Sequence, residues 1–311
     1  MTQERTIGET ALSPGGAAAL GEALQDPNVV GYGIGPRRTA AEWIPERCLC
    51  FYVREKFSEA QITEGTRATR ALPRRIDGLR TDVLAIRDFR ANDISHLSEF
   101  RSLHATFGAA ALATPQGGPH LALVAGHAAL PRGPGGSWTP IWQGGGQVQV
   151  QAFYGDIVGG RFGGGGSVDW AVARLHVPAH KITLQNHVTG APPPQPHTGV
   201  FQPHQPVHFH SPARHVSITG EVLHFTGDLQ VWVGGSPTHA AYSNLLIIRS
   251  TTPGQNFSVD SDSGSLVFDQ ENRAIGMIVG SSDAEPISAI ATISALLGDS
   301  NFAPFRPIFF A

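Results

Sequence analysis

The most constraining feature of this sequence is the regular interruption of short apolar runs by glycine, proline and asparagine. From about residue 100 onward the runs are rich in β-branched residues, which is typical of strands joined by tight turns. Glycine accounts for 37 of 311 residues, about 12% against a usual value of about 7%, and charged residues for only 15% against about 25%. Long solvated helices are therefore disfavoured, and the pattern predicts a mainly β chain that forms a barrel or a sandwich.

The first part of the chain has a different pattern. Ser13 and Pro14 open a short helical run that stops at Asp26 and Pro27, because serine caps helix starts and proline fits the first helical position. Strand-like runs follow at 29–35, 47–55 and 81–86, and an arginine-rich stretch precedes the last of them. This pattern predicts a small α/β module over residues 1–95. A late helix is expected over 290–297, ended by Gly298.

Charge and cysteine content narrow the function classes. The formal net charge is −3, whereas nucleic-acid binders usually carry a strongly basic face, so no nucleic-acid partner is expected. The sequence begins without the basic and apolar regions of a signal peptide and lacks a long apolar run, so we expect no membrane span. Cys48 and Cys50 lie two residues apart in an apolar run, a poor geometry for a disulfide. We therefore expect a soluble, cytoplasmic protein without disulfides.

Three short segments of the β region carry reactive side chains. His127 follows the apolar run LALVAG, Asp169 precedes the apolar run WAVARL, and Ser263 lies in the sequence DSDSGS before a further strand-like run. Each segment alone fits ordinary turn or core chemistry. The order His, Asp, Ser along the chain is nevertheless one of three in which unrelated folds build a Ser-His-Asp triad.

These segments resemble the T-A-G-H, D-I-A-L and G-D-S-G-G signatures of the chymotrypsin-like serine proteases. The resemblance implies two six-stranded antiparallel β-barrels with an active site in the cleft between them. The first barrel would span residues 100–190, and the second would span 196–311 with a short C-terminal helix. The N-terminal pieces NVVGYGIG and IDGLRTDV are similar to intracellular trypsin-like proteins of bacteria and plants.

The resemblance also implies a role for each reactive residue. Ser263 would be the nucleophile, His127 the general base and then the general acid, and Asp169 the group that orients the imidazole. The oxyanion hole would be formed by the backbone N–H groups of Ser263 and Ser261. The family has glycine where this chain has Ser261, so a preformed oxyanion hole and a degenerate one are both open.

Substrate specificity can be assigned only by the same resemblance. The floor of the primary pocket falls at Phe257, and its wall falls at Gly280, Ser281 and Ser282. An apolar floor favours apolar or small substrate side chains. Asp260 lies close enough in sequence to contribute a negative charge, so cleavage after a basic residue is an open alternative.

The acid before the proposed nucleophile, Asp262, raises the question of activation. In secreted relatives this acid pairs with a new amino terminus that is released by cleavage of a precursor. No recognisable activation sequence precedes the β region of this chain. We therefore expect Asp262 to pair internally with an arginine, and Arg174 and Arg214 are both candidates.

The histidine content offers a metal site as a further possibility. His208 and His210 would share one face of a strand, which suits zinc or nickel, but no acidic or cysteine partner follows at metal-ligand spacing. We therefore expect no metal and no cofactor.

Together these observations predict a serine endopeptidase of narrow specificity, or one that stays latent until triggered. Its substrate would be a protein or peptide, with one dedicated partner protein as an option, and the N-terminal module would regulate it or dock substrates. Two alternatives stay open. One is a protease-fold binding module without turnover, and the other is a protease that cleaves its own 64–80 stretch once.

Overall fold

β-strands dominate the structure, as the composition predicts. The computed structural model describes residues 12–39, 42–63, 70–91, 110–112, 121–129, 141–142, 147–150, 153–162, 166, 168–175, 195–211, 213–232, 239–260, 262–282, 284–305 and 309–310. Within these residues, no helix has the length and apolar character needed to cross a membrane. The helices are α1 (Pro14–Ala23), α2 (Glu59–Thr63), α3 (Gly126–Ala129) and α4 (Ile293–Gly298), followed by a 3-10 turn over Ala303–Phe305.

The strands fall into an N-terminal set and a longer set that follows it. The N-terminal strands are β1 (Val29–Arg38), β2 (Trp43–Val53), β3 (Arg75–Ile76), β4 (Leu79–Ala85) and β5 (Phe89–Ala91). The later strands are β6 (Ala110–Leu112), β7 (Leu121–Val124), β8 (Ile141–Trp142), β9 (Gln147–Val150), β10 (Phe153–Phe162), β11 (Asp169–Leu175), β12 (Pro206–Ser211), β13 (Val216–Trp232), β14 (His239–Ser243), β15 (Leu246–Ser250), β16 (Leu266–Asp269), β17 (Ala274–Ser282), β18 (Ile287–Thr292) and β19 (Phe309–Phe310).

Six strands of the C-terminal half close into a barrel. They pair antiparallel in the order β12-β16-β17-β18-β15-β13, and β12 also pairs with β13, which completes the ring. Side chains from all six strands form one buried cluster that includes Phe209, Phe257 and Ile278. Burial alternates along β12 because successive side chains of a strand point to opposite faces. The inward-facing apolar side chains of the six strands therefore fill the barrel interior.

The N-terminal strands continue the sheet of this barrel. β1 pairs antiparallel with the second half of β13, with Gly31 opposite Leu229 and Gly33 opposite Thr226. β2 pairs with β1, and β4 adds to β2 in parallel. β13 is long enough to pair with barrel strands at one end and N-terminal strands at the other. The N-terminal segment and the barrel therefore share one hydrogen-bonded sheet, a connection that the sequence pattern does not indicate.

A second antiparallel sheet is formed by the segment between these two parts, together with the C-terminal strand β19. Its order is β19-β6-β7-β11-β10-β8, with β9 also paired to β10. The central strand β11 is covered on both faces: Ala171 and Ala173 join one buried cluster, whereas Trp170 and Val172 join another. The strand period of two explains this division. A strand buried on both faces gives Asp169, its first residue, a rigid base.

One buried cluster connects the three parts of the molecule. It contains Tyr52 and Phe89 from the N-terminal strands, Ala171 from the second sheet, and Val279 and Tyr242 from the strands of the C-terminal half. All five are essentially without solvent exposure. Burial of apolar surface is the main force that holds such parts together. The N-terminal strands are therefore packed into the same core as the strands near the reactive residues.

The helices differ in how well the sequence predicts them. α1 begins as expected, with Ser13 at the N-cap accepting a hydrogen bond from the backbone N–H of Gly16 at 3.1 Å. The predicted helix over 290–297 begins later, because Ile290 belongs to the fully buried strand β18, which pairs with β15 and β17. Thr292 caps the helix that starts at Ile293. Tertiary pairing has overridden the helical pattern at its start.

Candidate active site

His127 lies in the short helix α3, where the chain turns away from strand β7. β7 pairs with the central strand β11 and ends three residues before His127, whose side chain is buried. Gly126 is required at the turn, because a Cβ there would lie 2.8 Å from the carbonyl oxygen of Arg161 and 2.9 Å from Oδ1 of Asp169. The glycine thus lets the backbone approach the carboxylate that His127 contacts.

Both carboxylate oxygens of Asp169 are held by the same residue. Oδ1 accepts a hydrogen bond from the backbone N–H of His127 at 2.8 Å, and Oδ2 lies 2.5 Å from Nδ1 of the imidazole. Asp169 is buried at the start of β11, opposite Phe162 of β10. Because the backbone N–H and the ring of His127 both bind the carboxylate of Asp169, the position and the plane of the imidazole are fixed.

Ser263 lies in the turn that leads into β16. Its Oγ is 2.9 Å from Nε2 of His127, and the side chain is buried. The turn is tied to β17 because the backbone N–H of Gly264 donates to the carbonyl oxygen of Ile278 at 2.9 Å. Asp169 and Ser263, which are 42 and 136 positions from His127 in the sequence, therefore contact the two nitrogens of its ring.

The partners of His127 indicate where its proton resides. An ionised carboxylate can only accept hydrogen bonds, so an ionised Asp169 places the shared proton on Nδ1 of His127. In the neutral ring Nε2 is then an acceptor, and the hydroxyl of Ser263 donates to it. This arrangement can take the hydroxyl proton as the oxygen attacks an electrophile, which is the first requirement of nucleophilic catalysis by serine.

Tyr242 is a buried residue that interacts electrostatically with Asp169. Its side chain is fully buried on β14, and burial, followed by the charge of Asp169, raises the pKa of its hydroxyl well above the usual value. The backbone N–H of the next residue, Ser243, donates to the carbonyl oxygen of Gly166 at 3.1 Å, which links β14 to the loop before β11. The tyrosine is therefore neutral, and it adds no second negative charge beside Asp169.

Asp262 is paired inside the protein, and the structure distinguishes between the two arginine candidates. Its carboxylate accepts a hydrogen bond from Oγ of Ser211 at 2.7 Å and from the backbone N–H of Val259 at 3.0 Å, and lies 3.5 Å from Nη2 of Arg214. Arg174 is exposed on β11 and faces Asp156 across the ladder. Burial raises the pKa of Asp262, and the bonds from Val259 and Ser211 only partly offset this effect. The partner is Arg214.

The expected pocket floor, Phe257, lies inside the barrel. Its ring is fully buried and packs 4.9 Å from the ring of Phe209, and its backbone carbonyl accepts a hydrogen bond from Arg214 at 2.5 Å. It therefore contributes to the barrel interior, and its carbonyl helps to hold the segment that leads to Asp262. Asp260 is exposed.

The expected pocket wall lies on the last residues of β17. Gly280, Ser281 and Ser282 directly follow Val279, whose carbonyl oxygen is 3.4 Å from Oγ of Ser263. The structure therefore brings the start of this segment close to the reactive hydroxyl. Ser261, the second residue assigned to the oxyanion hole, lies outside the described residues.

Two features of the site were not found by sequence reasoning. Strand β5 pairs with Gly280, Ser281 and Ser282 on β17, and Trp170, next to Asp169, donates from Nε1 to Asp299 after helix α4 at 2.9 Å. Both are long-range contacts between segments without a motif. No signal in the sequence could have identified them, because strand pairing depends on tertiary register and not on local composition.

The histidines that suggested a metal site do not form one in the described part of the chain. Among the described residues, no three His, Cys, Asp or Glu side chains form a group that could hold a metal ion. His208 lies 5.9 Å from the ring of Phe268, and burial lowers its pKa.

Comparisons with known proteins reveal only distant similarity. No family model matches the chain, and no curated protein is similar to it. Among solved structures, the Nocardiopsis protease NAPase has a TM-score of 0.39 at 16% identity and covers 62% of this chain and 87% of its own. Protease A of Thermobifida fusca has a TM-score of 0.41 at 14% identity and covers 66% and 90%. Chymotrypsin of Cellulomonas bogoriensis has a TM-score of 0.35 at 16% identity and covers 51% and 75%.

Proposed function

We propose that this chain is a serine endopeptidase that cleaves peptide bonds through an acyl-enzyme intermediate. The observation that supports the proposal most directly is the continuous hydrogen-bond chain from Asp169 through His127 to Ser263, with contacts of 2.5 and 2.9 Å. All three side chains are buried, so water competes little for these bonds.

The chemistry follows from the direction of these bonds. Oγ of Ser263 forms a bond to the carbonyl carbon of the substrate while its proton moves to Nε2 of His127. Asp169 stabilises the imidazolium through Nδ1. The tetrahedral intermediate then collapses, the carbon–nitrogen bond breaks, and Nε2 returns the proton to the leaving amine. Water repeats the sequence on the acyl-enzyme, which releases the acid and restores Ser263.

The negative charge on the substrate oxygen also needs donors. The backbone N–H of Ser263 is one candidate, and Ser261 supplies the other in this proposal. The loop that carries them is held by Asp262, whose carboxylate is paired with Ser211 and Arg214. An oxyanion donor typically contributes a factor of about 10²–10³ to turnover. Since Asp262 is already satisfied within the chain, activity in this proposal does not need a new amino terminus.

A fluorophosphonate probe tests the proposal because it reacts only with an activated serine. Wild-type protein should label at one site, Ser263→Ala should not label, and His127→Ala should lose labelling almost completely, since the residues act as a unit. Ser265→Ala is the matched control, because Ser265 is another buried serine two positions away on the same turn. Absence of labelling in the wild type would overturn the proposal and leave the binding-module alternative.

The same preparation separates general proteolysis from self-processing. Intact mass spectrometry of fresh wild-type protein and Ser263→Ala should give full-length masses that differ only by the oxygen atom removed by the substitution, if the chain cleaves only other proteins. A new amino terminus within 64–80 that is absent from the variant would support a single cleavage of its own chain. We also propose that specificity is narrow or that the enzyme is latent at rest, acting on a protein substrate that peptide profiling can define.

A further inference from the structure

One edge of strand β17 holds the proposed nucleophile between two other strands. β17 pairs with β18 along one edge. Both β16 and β5 pair with its other edge, at different positions along the strand. The next residues of β17 beyond those that pair with β16 are Ile278 and Val279. The carbonyl oxygen of Ile278 accepts a hydrogen bond from the N–H of Gly264, and the carbonyl oxygen of Val279 lies 3.4 Å from Oγ of Ser263. From Gly280 onward the edge is taken by β5. Ser263 therefore lies in the gap between β16 and β5.

The C-terminal end of β5 is directed toward that gap. Phe89 is opposite Ser282, Arg90 is opposite Ser281 and Ala91 is opposite Gly280, in antiparallel orientation. β5 therefore runs from the far end of β17 toward Val279 and Ser263. An extended peptide that added to this edge would use the same backbone groups of β17, since strand addition relies on main-chain hydrogen bonds. A peptide bound in the same orientation as β5 would run toward Ser263, with the residues on the acyl side of the cleaved bond lying along β17.

The fit of β5 to this edge is close. A Cβ on Gly280 would lie 2.1 Å from the carbonyl oxygen of Arg90, so β5 and β17 approach each other where only glycine is tolerated. Oγ of Ser282 donates to the carbonyl oxygen of Ile86 at 3.0 Å, just before β5 begins. A substrate backbone cannot enter the same space while β5 remains there.

Two contacts hold β5 from its other side. Phe89 is fully buried in the cluster that also contains Val279, and the guanidinium of Arg90 lies 5.0 Å from the ring centre of Trp232. β5 also pairs in parallel with the end of β13, with Phe89 opposite Val231. These contacts come from a strand of only three residues, and the side chain of its central residue, Arg90, is exposed. Displacement of β5 from β17 would therefore break three paired positions and leave all six barrel strands in place.

Under the proposed function, the Gly280–Ser282 edge of β17 receives the backbone of the peptide substrate. From this geometry we propose that β5 is an intramolecular occupant of that edge. The inference rests on the proposed function and adds its regulation: the enzyme is autoinhibited by its N-terminal segment. Productive binding requires β5 to leave β17. The apparent affinity for a peptide is then reduced by the fraction of molecules in which β5 is displaced.

A reversible disulfide lock tests this directly. Arg90 and Ser281 are directly opposite each other, where the Cβ atoms of antiparallel strands are close enough for a disulfide. The double variant Arg90→Cys with Ser281→Cys is compared in its oxidised and reduced forms. The native Cys48 and Cys50 are buried, and burial raises the pKa of Cys48 to about 12 and that of Cys50 well above its usual value, so neither competes for exchange. The two single variants are the controls.

Two readouts separate the inference from the proposed function. Fluorophosphonate labelling needs only Ser263 and its base, whereas cleavage of casein, an unfolded protein, also needs the edge of β17. We expect oxidation of the lock to reduce casein cleavage at least about tenfold and to change labelling less than about twofold, because only the peptide edge is closed. Labelling with measurable and equal casein cleavage in both forms would overturn the inference and leave the proposed function intact, and absence of labelling would overturn both.

A loosened strand provides the opposite test, which applies even if the wild type does not cleave casein. Arg90→Pro places a residue without an N–H group between two paired strands, and Arg90→Ala is the matched control that keeps the backbone donor. We expect casein cleavage by Arg90→Pro to exceed that of Arg90→Ala at least about tenfold at similar labelling. If both label but Arg90→Pro shows no gain in cleavage, β5 is a structural strand and not an inhibitor.

Discussion

Ser211 on β12 donates a hydrogen bond of 2.7 Å to the buried carboxylate of Asp262, the residue directly before the proposed nucleophile. The same hydroxyl oxygen accepts hydrogen bonds from the backbone N–H and Nε of Arg214, each at 3.2 Å. Arg214 in turn donates to the backbone carbonyl of Asn256 at 2.9 Å. Ser211 and Arg214 therefore connect β12 to both ends of the segment that leads to Ser263.

Substitution of Ser211 with alanine should weaken the site and the fold together. The buried carboxylate of Asp262 would lose a donor, which typically costs about 1–3 kcal/mol in free energy of unfolding. A small shift of the loop should also lower the rate constant of fluorophosphonate labelling by about tenfold or more, because misplacement by about 1 Å can cost about 10²-fold. Urea denaturation and labelling kinetics measure the two effects. Ser217→Ala, at an exposed position on β13, should change neither.

Gly126→Ala should disrupt the site with a single methyl group. The added Cβ would meet the carbonyl oxygens of Arg161 and Trp170 and Oδ1 of Asp169, all within 2.9 Å. These atoms must move, and Asp169 Oδ1 is the acceptor for the backbone N–H of His127. We expect labelling to fall about 100-fold or more. Gly298→Ala, where a Cβ would meet nothing within 4 Å, should label like the wild type. Equal rates for both variants would contradict the described path of the chain at residue 126.

His224 should make the fold sensitive to mild acid. Its ring is buried between the hydroxyl of Tyr52, 2.9 Å from Nδ1, and the carbonyl of Pro36, 3.0 Å from Nε2, and burial lowers its pKa from 6.5 to about 4. The unfolded state therefore binds more protons between these values. The contribution of His224 to the unfolding free energy is fully present above pH 6.5 and is lost as the pH falls toward 4. Its upper limit is about 3 kcal/mol.

The difference between wild type and His224→Gln isolates this contribution. The variant should lose much of the fall in unfolding free energy between pH 7.5 and pH 4.5, measured by urea denaturation. Its absolute stability can differ, so the comparison concerns the slope with pH. His215→Gln is the control, because His215 is exposed. If His224→Gln retains the full wild-type slope, the acid sensitivity arises from other groups.

Asp299 should stabilise the strand that carries Asp169. It accepts hydrogen bonds from Nε1 of Trp170 at 2.9 Å and from the backbone N–H of Asn301 at 3.0 Å. Burial by itself would raise the pKa of Asp299, but these bonds outweigh it and lower the pKa below 3.8. The stabilisation is therefore present above the unfolded pKa and is lost as the pH falls through the folded value.

The expected result for Asp299→Ala is a loss of about 1–3 kcal/mol in unfolding free energy at pH 7, because the buried N–H of Trp170 would lose its acceptor. Thermal and urea denaturation measure the loss. The difference in unfolding free energy between the wild type and Asp299→Ala should become smaller as the pH falls below 3.8. Ser300→Ala, at the next and exposed position, is the control. A variant as stable as the wild type at pH 7 would show that the contact is not stabilising.

Local sequence carries the residues of the candidate site but not their surroundings. His127, Asp169 and Ser263 each lie at the boundary of an apolar run, and such boundaries are visible without coordinates because strands end where the apolar pattern stops. Their assignment as one group came from their order and from family resemblance, and the structure places them in hydrogen-bond contact. The choice of Arg214 over Arg174 for Asp262 could not be made, since either arginine has a suitable charge.

The sequence by itself determined the mainly β character, the capped helix at Ser13 and the chemistry available to the site, because period, capping and side-chain type are local properties. Only the tertiary structure decided that β1 joins β13, that residues 290–292 extend a buried strand, and that β5 lies against Gly280 beside Ser263. Strand pairing joins backbone groups, which every residue except proline carries in the same form. The partner of a strand is therefore selected by packing across the whole molecule and not by the residues of the strand alone.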